Sequence, residues 1–301
     1  MKSTTIDNFY QEINASQPNG ISKEFGHFNV FDVAELSKKM RDNKIMPYNR
    51  RAYYKISLIN GRNQAEYADK IINIEKTALL FGTPKIPYHW QPLDLNQAGH
   101  FCVFTDAFLM KTKTGFVLDE LPIFKANTIP VFQLTDEAQS EIEAIFKKIH
   151  REINSNYAFK YDLIRNYVVE LIHFGQKLQP ATALVSSQNA ANRVASLFLE
   201  LLERQFPIES PHQELQLRSA KDYADRLSVH VNHLNTILKE TTEKTTTQLI
   251  SSRITQEAKY LLKQTDWQIS EISNALGFEE VAHFSNFFKR QTSYSPNSFR
   301  I

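Results

Sequence analysis

The stretch that decides the fold reads Ile269-Ser-Glu-Ile272-Ser-Asn-Ala275-Leu276-Gly277-Phe278-Glu-Glu-Val281-Ala-His283-Phe284-Ser-Asn286-Phe-Phe288-Lys289-Arg290. Ile269, Ile272 and Leu276 recur at helical spacing and give a short helix one apolar face. Gly277 stands where a left-handed residue ends that helix, because glycine takes positive φ without a Cβ clash. Phe278 plugs the turn, and Val281, Phe284 and Phe288 define the inward face of a second helix. Two short helices joined by a tight turn form a helix-turn-helix. The outer face of the second helix carries His283, Asn286, Lys289 and Arg290.

Working outward, the same arrangement stands earlier in the chain. Ser219 to Arg226 reads as a short helix with Tyr223, Ala224 and Leu227 inward, and Ser228 offers a turn or N-cap. Val231, Leu234 and Leu238 follow at helical spacing, which leaves His230, Asn232, His233, Asn235, Thr236 and Lys239 on the outer face. These are side chains that can meet base edges or phosphates. Between the two units, about Thr246 to Gln264, Leu249, Ile250, Ile254, Ala258, Leu261 and Leu262 give a longer helix an apolar stripe. At a rise of ~1.5 Å per residue this strut spans about 28 Å. That is on the scale of the ~34 Å between successive major grooves on one DNA face.

The ordered series Arg253-Ile-Thr-Gln-Glu-Ala258-Lys-Tyr-Leu261-Leu262, then the segment quoted first, then Ser295-Pro296-Asn-Ser-Phe299-Arg300 resembles the signature of the AraC/XylS family of transcription regulators. The resemblance covers about Leu217 to Ile301. It implies two helix-turn-helix units on one linker helix, sequence-specific binding to double-stranded promoter DNA, and activation of RNA polymerase. It also implies a preceding β-rich, cupin-like barrel and a homodimer, with a small-molecule effector as a possible input. Glu243 and Ser293 stand where the family often has glycine, Asn286 where arginine is common, and Ser273 in place of a usual alanine. These departures leave the apolar framework intact and bear on which bases are read. Asn232, Asn235 and Asn286 are either adenine readers or ordinary solvated residues. His230 and His283 read as phosphate or capping groups, and Lys239, Lys289 and Arg290 as phosphate anchors.

The remainder of the chain sets the frame. Its 301 residues suggest about two domains, and 42% apolar with 23% charged residues is ordinary globular composition. The single cysteine, Cys102, excludes an internal disulfide and a four-cysteine zinc site, and reads as a buried, inert thiol. Neither a transmembrane run nor an apolar signal core is present, so a reduced cytoplasmic setting is expected. No low-complexity tract and no repeat of 20 to 50 residues stands out. Phe25 to about Pro130 is broken every few residues by Pro, Gly and Asn, with short β-branched and aromatic runs such as Ala52-Tyr-Tyr-Lys-Ile-Ser-Leu-Ile between the breaks. Asn60-Gly61 reads as a tight hairpin turn. Two helical pieces are expected there, Asp32 to Arg41 and a short one after Asp106. From Thr135 on, Pro and Gly are rare, and Ala138, Ile142, Ile145, Ile149 and Ile153 line one face of a helix. Asp162 to Gln176 and Ala190 to Gln205 read as two more helices.

The expected fold is therefore α+β in two domains: an N-terminal β-rich cupin-like barrel with helices, and an all-α C-terminal domain with two helix-turn-helix units on a linker helix. The boundaries read as 1–134 for the regulatory domain, 135–205 for a helical dimerisation or connecting region, and 206–301 for the DNA-binding domain. A cupin metal enzyme would need a His-x-His pair, and His27, His89, His100 and His150 supply none. No Ser-His-Asp ordering or phosphate-cradling loop appears either, so neither catalysis, cofactor nor metal is expected. Tyr53, Tyr54, His89, Trp90 and Phe104 are candidate ligand contacts, with barrel core as the alternative for each. The stripe from Ala138 to Ile153 either covers the barrel or pairs with its copy in a second protomer. From Phe206 onward eleven basic residues face eleven acidic ones, so nonspecific DNA affinity should be modest. The rival readings are a cupin-type metal enzyme fused to a DNA-binding domain and a non-DNA protein adaptor, the latter favoured by this neutrality.

Overall fold

The structure is a computed structural model that describes residues 4–17, 26–39, 46–67, 70–84, 86–94, 97–110, 118, 121–124, 131–178 and 190–301. The expected segment limits at Phe25, Arg41 and Pro130 lie outside these residues. The chain divides into two compact units, with the changeover between Ala183 and Leu184.

The first unit opens with α1 (Ile6–Glu12), β1 (Phe28–Asp32), α2 (Val33–Lys39) and β2 (Met46–Asn49). Strands β3 (Tyr54–Asn60), β4 (Asn63–Tyr67), β5 (Lys70–Ile74), β6 (Thr77–Gly82), β7 (Tyr88–Pro92) and β8 (Ala98–Phe104) follow, then α3 (Asp106–Met110) and β9 (Val131–Gln133). Helices α4 (Asp136–Ile153) and α5 (Lys160–Leu178) end the unit. The strands form a five-stranded sheet, β1-β8-β3-β6-β9, and a four-stranded sheet, β2-β7-β4-β5. Among the described residues these are two open sheets, not the closed barrel expected. The edge strands are short, three residues in β9 and four in β2, and the β2–β7 register is interrupted. Such edges give little ladder on which to close a barrel. Asn60-Gly61 is likewise not a hairpin turn: β3 pairs with β6 and β8, whereas β4 pairs with β7, so this turn carries the chain from one sheet to the other.

Strand alternation divides the five-stranded sheet into two faces. Tyr54, Ile56 and Leu58, with Leu79, Phe81, Cys102 and Phe104, pack under α4 and α5. The helices answer with Ile142, Ile145, Phe146 and Ile149 from α4 and Ile164, Val168, Leu171 and Ile172 from α5, all buried. Gly175 permits the close approach of α5, since a Cβ there would lie 2.4 Å from the Phe81 ring. Thr135 caps α4 by accepting from the Ala138 N–H at 3.2 Å. The α4 stripe is thus consumed inside the protomer, as cover for the sheet. On the opposite face α1 supplies Phe9, Tyr10 and Ile13 to a second cluster with Tyr53, Phe101 and Val103.

The second unit is helical: α6 (Ala190–Glu203), α7 (Ala220–Arg226), α8 (Val231–Thr242), α9 (Thr246–Gln264), α10 (Ile269–Ala275), α11 (Val281–Thr292) and α12 (Pro296–Arg300). Helix α6 packs into this core. Phe198 packs at 4.9 Å between ring centroids on Tyr223. Just past α6, Gln205 accepts from the Gln216 and Leu217 N–H groups and donates to Leu217 O and the Tyr223 hydroxyl. Arg253 on α9 binds Glu203 through Nε at 3.0 Å and Glu257 through Nη1 at 3.0 Å, and its guanidinium lies 3.7 Å over the Phe206 ring. Glu257 also accepts the Ile208 N–H at 2.9 Å. Burial alone would push the Arg253 guanidinium down, but Glu203 and Glu257 outweigh it and raise it. The segment between α6 and α7 is therefore pinned to the linker helix.

Candidate nucleic-acid interface

The helical unit contains one device twice. Helices α7 and α10 have seven residues each, and α8 and α11 have twelve. In the turns Ser228 and Gly277 have φ of 55° and 76°. The next residue donates back into the first helix in both, Val229 N–H to Ala224 O at 3.0 Å and Phe278 N–H to Ser273 O at 2.9 Å. Each second helix ends on a left-handed residue, Glu243 at φ 60° and Ser293 at φ 67°, whose N–H donates to Lys239 O or Lys289 O. Thr242 and Thr292 then accept from Lys244 and Tyr294 N–H groups at 3.3 Å. The duplication spans about fifty residues, Val231 answering to Val281. The sequence hides it as a repeat because its constraints are backbone conformations and apolar spacing rather than shared residues.

Each second helix buries a narrow stripe, Leu234, Ile237 and Leu238 in α8 and Phe284 and Phe288 in α11. The opposite faces are exposed. On α8 these are Asn232, His233, Thr236 and Lys239, with His230 at the N-cap making no side-chain capping bond. On α11 they are His283, Asn286, Lys289 and Arg290. The structure thus brings nine of the ten expected contacts onto two outward helix faces. Asn235 is the exception. It is half-buried, and its Oδ1 accepts from the Thr246 N–H at 3.1 Å and the Thr246 hydroxyl at 3.4 Å, so it fixes α8 to the start of α9. Val281, expected inward, is 37% exposed and stands beside exposed Ala282. Apolar side chains at such positions suit thymine methyl groups, a signal the spacing rule masked by assigning Val281 to the core. Glu203 and Gln205, which hold the first helix-turn-helix in place, carried no local sequence signal, although the i,i+4 pair Arg253–Glu257 did.

The N-terminal candidates separate. Tyr54 and Phe104 stack on each other at 5.6 Å in the helix-covered core. Tyr53 lies on the other face in the α1 cluster, where burial pushes its hydroxyl well above the usual range. His89 pairs with Glu66 at 3.7 Å, and Trp90 is half-buried on β7. The five do not form one site. Cys102 is buried, with its thiol pushed up to about 12 by that burial. Among the described residues no group of three or more His, Cys, Asp or Glu side chains could hold a metal ion, and no helix is long and apolar enough to cross a membrane.

Two like reading heads on one continuous helix define a double helix-turn-helix domain. Residues 223–301 match the family described as "Helix-turn-helix domain", and this C-terminal segment is a domain of the AraC type. The chain is 32% identical over 77 residues to the xylose operon regulatory protein of Haemophilus influenzae, covering 26% of this chain and 20% of that protein. It is 27% identical over 113 residues to the HTH-type transcriptional activator RhaS of Escherichia coli, covering 38% of this chain and 37% of that one. The chain therefore spans a fifth to somewhat over a third of these relatives' lengths. Among solved structures, ToxT from Vibrio cholerae aligns over 93% of this chain and 98% of its own at 13% identity, with a TM-score of 0.43.

Proposed function

We propose that the protein is a sequence-specific DNA-binding transcription regulator that acts as an activator at promoters in the cytoplasm. The N-terminal unit serves dimerisation and responds to a small molecule, and RNA polymerase is the partner through which activation is delivered. The observation that carries this reading is the duplicated helix-turn-helix with two polar, unpacked second helices. Among the described residues nothing packs on those faces, and their side chains are the types that reach base edges and phosphates. The similarity to two curated regulators supports the same class. No enzymatic role is proposed. Because the α4 stripe is buried, dimerisation is assigned to another surface of the N-terminal unit.

The test is a mobility-shift titration with the DNA upstream of the protein's own and adjacent genes. Saturable binding that survives excess competitor DNA is the expected result. Weak binding indifferent to sequence, with intact folding, would overturn the reading and favour the protein-adaptor alternative to which the neutral charge points.

A further inference from the structure

The two second helices have equal length and turn equivalent faces outward, but they do not carry the same groups in the same order. The second position of the helix holds exposed Asn232 in α8 and exposed Ala282 in α11. The sixth holds exposed Thr236 in α8 and exposed Asn286 in α11. An amide and a methyl-bearing side chain have thus changed places. The Thr236 hydroxyl donates to Asn232 O at 3.0 Å, so its proton is spent inside the helix and its methyl group is left over. Val281, 37% exposed, enlarges the apolar start of α11, whereas its counterpart Val231 is half-buried. The third position is histidine in both heads, His233 and His283. The cations come later, with Lys239 in the last turn of α8 and Lys289 and Arg290 in the last turn of α11.

The N-terminal residues of a recognition helix are the ones that meet base edges. There neither head offers Arg or Lys, the side chains that grip guanine O6 and N7 together. An amide instead matches adenine N6 and N7, and an apolar group matches the thymine methyl. A histidine N–H at purine N7 does not choose, because adenine and guanine share that acceptor. Positions two and six stand about 6 Å apart along the helix axis, on the scale of two base steps of ~3.4 Å.

We propose that α8 and α11 each read nearby A·T base pairs, in opposite order. Helix α8 sets Asn232 on adenine ahead of Thr236 on a thymine methyl. Helix α11 sets Val281 and Ala282 on thymine methyls ahead of Asn286 on adenine. The preferred site is then two unlike A·T blocks rather than one block repeated. Glu280, at the N-cap of α11, is an acceptor suited to cytosine N4–H, and such a contact falls at the edge of the site, outside these pairs. The inference deepens the DNA-binding reading and rests on it.

In the experiment the full chain selects duplexes from a random pool. The selection is repeated with the double variant Asn232→Ala, Thr236→Asn, which gives α8 the groups of α11. The substituted side chains are exposed, so the variant should fold as the native chain does, which circular dichroism checks. The native chain should enrich two blocks, and the double variant should alter one of them. At the altered positions adenine and thymine should exchange places, so that this block comes to resemble the other. In the unaltered block, read by α11, uracil in place of thymine removes only the methyl group. That change should weaken native binding about fourfold per methyl, the worth of one buried carbon, and leave a Val281→Ser, Ala282→Ser variant indifferent. A required G·C pair at the altered positions, two blocks unchanged in the double variant, or an equal uracil penalty in the serine variant would each overturn the proposal and leave DNA binding standing. No enriched sequence at all would overturn the DNA-binding reading and this inference with it.

Discussion

Glu243 and Ser293 hold left-handed backbone conformations that an L side chain adopts at a cost. Each closes a second helix, where glycine is the residue that fits. Ser293→Gly and Glu243→Gly should therefore each raise stability by about 0.5–1 kcal/mol, despite the greater freedom of glycine in the unfolded chain. Chemical denaturation at fixed pH measures this, and a loss of stability in both variants would refute the assignment. A second residue-level effect concerns His100 on β8 and His150 on α4, whose rings meet at 5.1 Å. Burial pushes both down, and for His150 the neighbouring His100 adds to it, while Asp32 pulls both back up. Glu143 and Lys147 also face His100, and Glu35 faces His150. A folded pKa below the unfolded value means that the unfolded chain takes up protons first as pH falls. The stability these rings contribute is then fully present above the unfolded value of about 6.5 and is lost as pH drops below it. The thermal midpoint of the native chain should fall between pH 7 and pH 5 more steeply than that of a His100→Gln, His150→Gln double variant.

At the level of elements, two contacts decide how the helices are placed. On α5, Gly175→Ala would drive a methyl to 2.4 Å from the Phe81 ring and 2.6 Å from Ile123, both buried. Overpacking of this kind costs about 1–3 kcal/mol. In the helical unit, Arg253→Ala would strand the fully buried Glu257 carboxylate and remove the tie to Glu203. Breaking a buried pair from one side costs about 3–5 kcal/mol. Arg253→Lys should recover little, because a single ammonium cannot bridge two carboxylates and cover Phe206 in the same geometry. Urea titrations of the three variants settle these expectations. These contacts also mark the limit of what could be read from the chain alone. Helices α4 to α11 were legible because Ile142, Ile145 and Ile149, or Phe284 and Phe288, repeat at a local period. The strands were legible as short runs, yet their partners were not. Whether Asn60-Gly61 folds a hairpin or crosses between sheets depends on pairings of β3 with strands that lie 17 to 44 residues further on. The roles of Asn235 and Glu203 were hidden for the same reason: Thr246 and Arg253, their partners, are distant in sequence.

At the scale of the whole helical unit, charge governs how DNA binding should behave. Including α6, thirteen basic residues balance thirteen acidic ones, so affinity cannot come from a general positive field. It has to come from the few cations on the outward faces, Lys239 on α8 and Lys289 and Arg290 on α11, with neutral donors and helix N-termini adding phosphate contacts. Each neutralised phosphate adds about 0.9 to the slope of log affinity against log salt. A neutral unit with few clustered cations should give a slope of roughly −3 to −5, shallow for a domain with two reading heads. Lys289→Ala should then weaken binding to all sequences alike and lower the magnitude of that slope by about 1. Asn286→Ala should leave the slope alone and relax base choice at one position, a discrimination of about 1–3 kcal/mol for a bidentate amide. Asn235→Ala should do neither: with its Oδ1 committed to Thr246, it should lower stability and leave base preference untouched. Titrations of the three variants at several salt concentrations, on the bound sequence and on single-base changes, separate these outcomes. A uniform loss from both Asn286→Ala and Lys289→Ala would remove α11 from base reading and leave it as an anchor on the backbone.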